Sequence, residues 1–274
     1  MERTIAKTWR PRAEQRSAIH RAAAILPPGR WQEFDPFLML AEDWFRQGTF
    51  EDHPHRGIET VTYVISGHMA HYDNKSGHSG VLGPGDAQWM TAGHGVIHKE
   101  DPVPGEEVHS LQLWINLPRD QKLMPPRYQD LAASTMPQHK EPGVTLKLYS
   151  GAMNGIQSHT VNVVPVLMAE LVMEEGASST LPIPTAYNGF LYILGGEGAF
   201  GEQNTAGTAG EVLWLGPGGG DVSTVSVYAR SSLRVLLYAG LPLNQPVAAY
   251  GPFVMTTSDE IRQAIEDYRA GRFL

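Results

Sequence analysis

The sequence predicts an all-β protein of two similar β-barrels with one α-helix at the C-terminal end. Three observations lead there. Short strand-like segments dominate, βαβ alternation and a phosphate loop are lacking, and the chain repeats itself weakly.

The strand-like segments are Glu59–Ile65, His109–Ile115, Thr145–Tyr149, Val166–Val172, Phe190–Leu194, Val212–Leu215 and Leu233–Tyr238. They are rich in Val, Ile, Leu, Tyr and Thr and are separated by Gly, Pro, Asn or Asp clusters, which punctuate sheets. The helix follows Ser258, which reads as its N-cap, with Asp259 and Glu260 in the first turn. Ile261, Ala264, Ile265 and Tyr268 recur at helical spacing, and Gly271 is a stop. That apolar stripe is expected to pack on a sheet.

The repeat rests on two pairs. Tyr63-Val-Ile-Ser-Gly67 matches Tyr192-Ile-Leu-Gly-Gly196, and Gly85-Asp-Ala-Gln-Trp-Met90 matches Gly210-Glu-Val-Leu-Trp-Leu215. The offsets are 129 and 125 residues, nearly one value, as a duplicated domain requires. The boundary is expected in the Pro-rich, polar stretch 118–145. This predicts an N-terminal barrel over residues 1–130 that carries the functional site. A C-terminal barrel over 131–274 would end in the helix.

With 274 residues, 42% hydrophobic, the chain can bury two cores, which excludes global disorder. It has no Cys, so disulfides, thiolate metal sites and thiol nucleophiles are excluded. Lack of Cys fits a reducing compartment, and a cytoplasmic location is expected. No apolar run approaches a membrane span, so no membrane partner is expected. The net charge of −8 argues against direct nucleic-acid binding. The charge is uneven: residues 1–30 hold six Arg and one Lys against two Glu, a local +5, leaving −13 elsewhere. An exposed first strand and loop is the expected reading of that basic segment.

Of 11 histidines, eight lie between His53 and His109, and none follows His159. Residues two apart in an extended chain point the same way, so His53 with His55, and His98 with Glu100, can each face one point. Two such pairs on neighbouring strands would converge four donors inside a barrel. Imidazole nitrogen and carboxylate oxygen suit Fe, Mn, Co, Ni, Cu or Zn. Pro54 places the first pair at a strand edge or loop mouth. Glu59 shares the parity of His55 and reads either as an acceptor behind the ligands or as a buried polar group. His94, between Gly93 and Gly95, reads as a loop histidine or as lining the cavity mouth. His68, His71, His78 and His109 read as exposed or turn residues. Trp89, Met90, Leu113, Trp114, Trp214 and Leu215 read as core.

The segment His53-Pro-His-Arg-Gly-Ile-Glu-Thr-Val-Thr-Tyr63, followed by Gly83-Pro-Gly-Asp-Ala-Gln-Trp-Met-Thr-Ala-Gly-His-Gly-Val-Ile-His-Lys-Glu100, resembles the signature of the pirin family. Phe34-Asp-Pro-Phe37, Leu111–Pro118 and Pro125–Gln129 also fit, and the match is dense from about residue 34 to 130. The resemblance implies a bicupin, two jelly-roll-like barrels of the cupin superfamily packed face to face. It implies His53, His55, His98 and Glu100 as ligands of one divalent metal, typically iron. Quercetin 2,3-dioxygenase activity follows for several members, which open a flavonol ring with O2 and release CO; Glu100 would then act as both ligand and general base. The alternative it implies is a non-enzymatic, iron-dependent redox-sensing regulator that binds protein partners. A monomer is expected. Along the repeat, His53 and His55 fall on Pro182 and Pro184, and His98 and Glu100 on Ser223 and Val225. The C-terminal barrel therefore lacks an equivalent site.

Overall fold

The computed structural model describes residues 1–73 and 76–273, and it is mostly β-strand. The chain divides into two units, and each combines segments from distant parts of the sequence. One comprises residues 12–134 and 243–274, the other residues 1–11 and 135–242.

In the first unit a seven-stranded sheet runs in the order Arg127–Leu131, Ala87–Thr91, Ile58–Ser66, Glu107–Asn116, Phe37–Arg46, His20–Leu26, Glu14–Ser17. A four-stranded sheet runs His53–His55, Val96–Pro102, Met69–Asp73, Ser79–Leu82. The second unit repeats this plan. Its seven strands are Ile5–Trp9, Val212–Leu215, Asn188–Gly195, Leu233–Gly240, Val166–Met173, Val144–Ser150 and Gln138–Glu141. Its four are Ser178–Pro184, Val222–Ala229, Glu197–Phe200 and Thr205–Thr208. The seven strand-like segments read from the sequence are all strands; Val212–Leu215 keeps its bounds and the other six are extended by one to three residues.

The matching orders show what the sequence did not. The edge strand beside Ala87–Thr91 comes from residues 127–131, but its counterpart beside Val212–Leu215 is Ile5–Trp9, from the start of the chain. The expected split at 130/131 is therefore corrected. Residues 1–11 group with the C-terminal barrel, and 243–274, with the helix, group with the N-terminal one. Backbone ladder bonds, which leave no trace in local composition, decide this.

Arg3 anchors the first strand and accounts for part of the basic segment. It is 1% exposed. Its guanidinium donates to Ser223 Oγ at 2.6 Å and to the carbonyls of Pro184 and Tyr187, each at 2.8 Å, and of Thr185 at 3.1 Å. A buried guanidinium is tolerable when its fork of donors is satisfied in this way. Arg10 pairs with Glu211, Arg16 with Glu14 and Arg30 with Glu33, while Arg21 lies over the Trp44 ring at 4.0 Å.

The helix is Ser258–Arg269. Its N-cap is Thr257 rather than Ser258, because Thr257 and Glu260 form a reciprocal capping box. Gly271, at φ 67°, supplies the left-handed stop, with Arg272 N–H returning to Asp267 O at 2.8 Å. Ile261 and Ala264 bury against Phe253, Met255 and Phe273, the first two of these from the hairpin Ala248–Met255. Among the described residues no helix is long and apolar enough to cross a membrane.

Candidate metal centre

The four-stranded sheet of the first unit positions the site. Val96–Pro102 alternates buried and half-buried residues, so His98 and Glu100 share the inner face. His98 stands opposite His53 and Val96 opposite His55. The three-residue strand carrying Pro54 is the edge of its sheet, where a missing N–H is tolerated.

The structure brings His53, His55 and His98 together, with ligand atoms within 4.8 Å of one another. Glu100 joins through His98: His71, His98 and Glu100 form a second group at the same spacing. Both carboxylate oxygens of Glu100 are held. Thr62 Oγ1 donates to Oε1 at 2.9 Å and Gln112 Nε2 to Oε2 at 2.8 Å. Thr62 and Gln112 face each other across their ladder, and the Trp114 indole N–H donates to Gln112 at 3.3 Å.

This donor set fits a divalent cation. His55 and His98 are buried; neither ring nitrogen of His98 has a hydrogen-bond partner, and the His55 ring has the Pro252 backbone near it, outside good hydrogen-bond geometry. Buried polar groups are nearly always paired, so such atoms call for an ion or ligand. Burial, and then the neighbouring histidines, hold both imidazoles well below their ordinary titration range. They are neutral with a free lone pair, the form that binds metal. His53 Nδ1 lies 2.9 Å from the Glu51 carbonyl, which fixes the tautomer and presents Nε2 to the cluster.

Other expected residues fall elsewhere. Glu59 is fully buried, accepts from Thr91 at 2.7 Å and lies 3.9 Å from Arg127; it is in neither donor group. His94 lines a surface cleft with Arg56, Met255 and Asp267, not with the histidine cluster. His68 is exposed at a turn, as expected. His71 is not: it is 2% exposed on Met69–Asp73, because its rung faces inward with Glu100. His78 stacks on Tyr128 and His109 on Trp44, both half-buried. Trp89, Met90, Leu113, Trp214 and Leu215 are core. Trp114 is half-buried; it packs against the core cluster of Leu38, Ile58 and Met90 and sets its ring edge-on to His55 at 5.1 Å. Thr62 and Gln112 were missed, although their common parity with Trp114 on paired strands was a usable signal.

The second barrel shows the same positions without chemistry. Gly67 and Gly196, at φ 78° and 81°, occupy the same turn, and a Cβ on either would strike a carbonyl oxygen at 2.3 or 2.0 Å. Counted along the ladders from these glycines, Glu100 facing His71 corresponds to Val227 facing Phe200. His98 facing His53 corresponds to Val225 facing Leu181, and His55 to Ile183. The Thr62–Gln112 pair corresponds to Leu191–Leu237. These counterparts all belong to one apolar core. The constant-offset assignment to Pro182, Pro184, Ser223 and Val225 is thus shifted by one or two residues, because the loops differ in length. The expected lack of donors at these positions stands.

Comparison with known proteins gives the context. The Pirin family model matches residues 19–115, and the Pirin C-terminal cupin domain model matches residues 168–274. A pirin-like protein of Solanum lycopersicum is 44% identical over 245 residues, covering 88% of this chain and 82% of that protein. The crystal structure of GK1651 from Geobacillus kaustophilus is 52% identical, with a TM-score of 0.88 over 90% of this chain and 99% of that one. A quercetin 2,3-dioxygenase from Acinetobacter baumannii is 30% identical, with a TM-score of 0.88, covering 100% of this chain and 99% of that one. Two cupin barrels, matched in both halves and along most of a curated relative's length, place the chain in the pirin family.

Proposed function

We propose that this protein is a metal-dependent oxidoreductase of the quercetin 2,3-dioxygenase type, with His53, His55, His98 and Glu100 as the ligands of one divalent ion, iron foremost. The observation that carries the metal reading is the convergence of three imidazoles, one of which, His98, is buried with neither ring nitrogen paired. The similarity to a quercetin 2,3-dioxygenase over the whole chain supports the substrate class.

A bound divalent ion supplies Lewis acidity toward an anionic oxygen pair and a redox path to dioxygen. The chain's own residues do the rest. Thr62 and Gln112 each take one lone pair of Glu100, fixing the carboxylate plane and leaving each oxygen able to accept once more. Glu100 is then placed to take the 3-hydroxyl proton of a flavonol as it binds. His53, His55 and His98 would hold the ion, and burial keeps His55 and His98 in the neutral form that coordinates. Ring opening inserts both atoms of O2 and expels one ring carbon as CO.

The test is anaerobic binding of quercetin to metal-loaded protein, followed by admission of oxygen, with Glu100→Gln as control. The expected result is a shifted flavonol absorption band, then one CO per quercetin consumed, strongly reduced in the variant. No CO and no ring-opened product with Fe, Mn, Co, Ni, Cu or Zn would sink the dioxygenase reading.

A further inference from the structure

We propose that His71 binds substrate beside Glu100: its ring N–H holds the flavonol 3-oxygen whose proton Glu100 removes, an assignment that rests on the flavonol reading above. His71 lies directly opposite Glu100 in an antiparallel ladder, and opposed residues project to the same face. It stands outside the group of His53, His55 and His98, yet one of its ring nitrogens lies within 4.8 Å of a Glu100 carboxylate oxygen. The two side chains do not hydrogen-bond each other.

That gap fits a single shared oxygen. An oxygen with two hydrogen bonds of about 2.8 Å at a near-tetrahedral angle sets its partners about 4.6 Å apart. Thr62 and Gln112 leave each Glu100 oxygen able to accept once more. A hydroxyl between the side chains therefore donates to Glu100 and accepts from His71. When the proton passes to the carboxylate, the electron pair stays on the substrate oxygen, and its bond from the His71 N–H strengthens with the charge.

Among the described residues neither ring nitrogen of His71 has a hydrogen-bond partner, although the residue is 2% exposed. Its ring neighbours do not satisfy it: the Tyr128 hydroxyl donates to Asp73, and His78 Nε2 lies 3.3 Å from Asp130. An unpaired buried imidazole is unfavourable unless a bound molecule engages it. Packing does not require it, because Phe200 fills the same rung of the second barrel.

Quercetin and luteolin differ only in the 3-hydroxyl, so the pair isolates the oxygen in question. Iron(II)-loaded wild type, His71→Phe, His71→Leu and His71→Gln are titrated anaerobically with each flavonoid by the shift of its absorption band. Metal content and melting report loading and folding, and Phe200 is the precedent for Phe at this rung. The expected result is quercetin affinity lowered roughly 10–100-fold by Phe and Leu, the scale of a hydrogen bond to a charged group. Luteolin affinity should stay within about twofold, and Gln, which keeps an N–H donor, should recover part of the quercetin loss. Quercetin affinity unchanged by Phe and Leu, or equal losses for both flavonoids, would overturn the assignment. A wild type that binds quercetin but releases no CO in oxygen would sink the dioxygenase reading and leave the binding role of His71 standing. A wild type that binds no quercetin would overturn both.

Discussion

Arg56 and Asp267 are joined by a 2.7 Å ion pair across 211 residues of sequence, and Arg56 directly follows His55. The same guanidinium donates to the His94 carbonyl at 2.6 Å and lies 4.3 Å from the centre of the Phe273 ring. The helix Ser258–Arg269 is thereby fastened to the strand that carries two of the metal-binding candidates. Asp267→Asn is expected to lower stability by about 1.5–3 kcal/mol, the scale of a hydrogen bond to a charged group. Urea unfolding measures it, and an unchanged midpoint would reject the link. The Arg56 guanidinium, aided by Arg272 and Gln263, holds the Asp267 carboxyl well below the usual carboxylate range. Its contribution is therefore complete above the unfolded value of 3.8 and is lost as pH falls below it. Wild type should lose that increment progressively as pH falls below about 4, and the variant should not.

Glu100 is held by two donors, Thr62 and Gln112, that lie outside the candidate ligand set. Thr62→Val and Gln112→Leu are each expected to weaken metal binding roughly 10–100-fold, since the carboxylate loses its orientation. Equilibrium dialysis against a competing chelator measures the change. Affinities within twofold of wild type would show that Glu100 orients itself.

Lys122 is 1% exposed, and its ammonium donates to Gly57 O, Asn116 Oδ1 and Val254 O at 2.9, 2.7 and 3.0 Å. Burial pushes its pKa down from 10.5 to about 7. Between these values the unfolded chain binds more protons than the folded one, so this group makes stability rise with pH across that window. Wild type should gain stability from pH 7 to pH 9, and Lys122→Met should flatten the slope. A slope that survives the substitution would assign it to other groups.

The second barrel offers a template for removing the site. Its register supplies His53→Leu, His55→Ile, His98→Val, Glu100→Val, Thr62→Leu and Gln112→Leu. The six-fold variant should take up no metal. Its apo form should be as stable as wild-type apo protein or more stable by about 1–4 kcal/mol, as when buried charges give way to packed hydrocarbon. Calorimetry decides; a large loss of stability would mean the polar interior also shapes the fold.

The sequence made the strands and the histidine convergence legible because both are local: β-branched runs between turn residues, and side chains two apart on one face. His71 was misread for want of its pairing, since its neighbours Ala70 and Tyr72 give no sign that its rung opposes Glu100. Trp114 packs against the core cluster of Leu38, Ile58 and Met90, as its apolar ring suggests, and also meets His55 and Gln112, which its residue type alone does not show. The ownership of residues 1–11 and 243–274 was illegible for the same reason. Ladders and buried carbonyl acceptors decide it, and composition records neither.

The crossing of the two terminal segments sets an order of events during synthesis. The strand Ile5–Trp9 is synthesised some two hundred residues before its ladder partner, Val212–Leu215. The barrel holding the histidines is made first but gains the anchor for Arg56 only when Asp267 emerges. The half translated first is therefore finished last. A chain cut after residue 242 would carry the histidine-bearing unit without its clasp, while every segment that groups as the other unit would already be present.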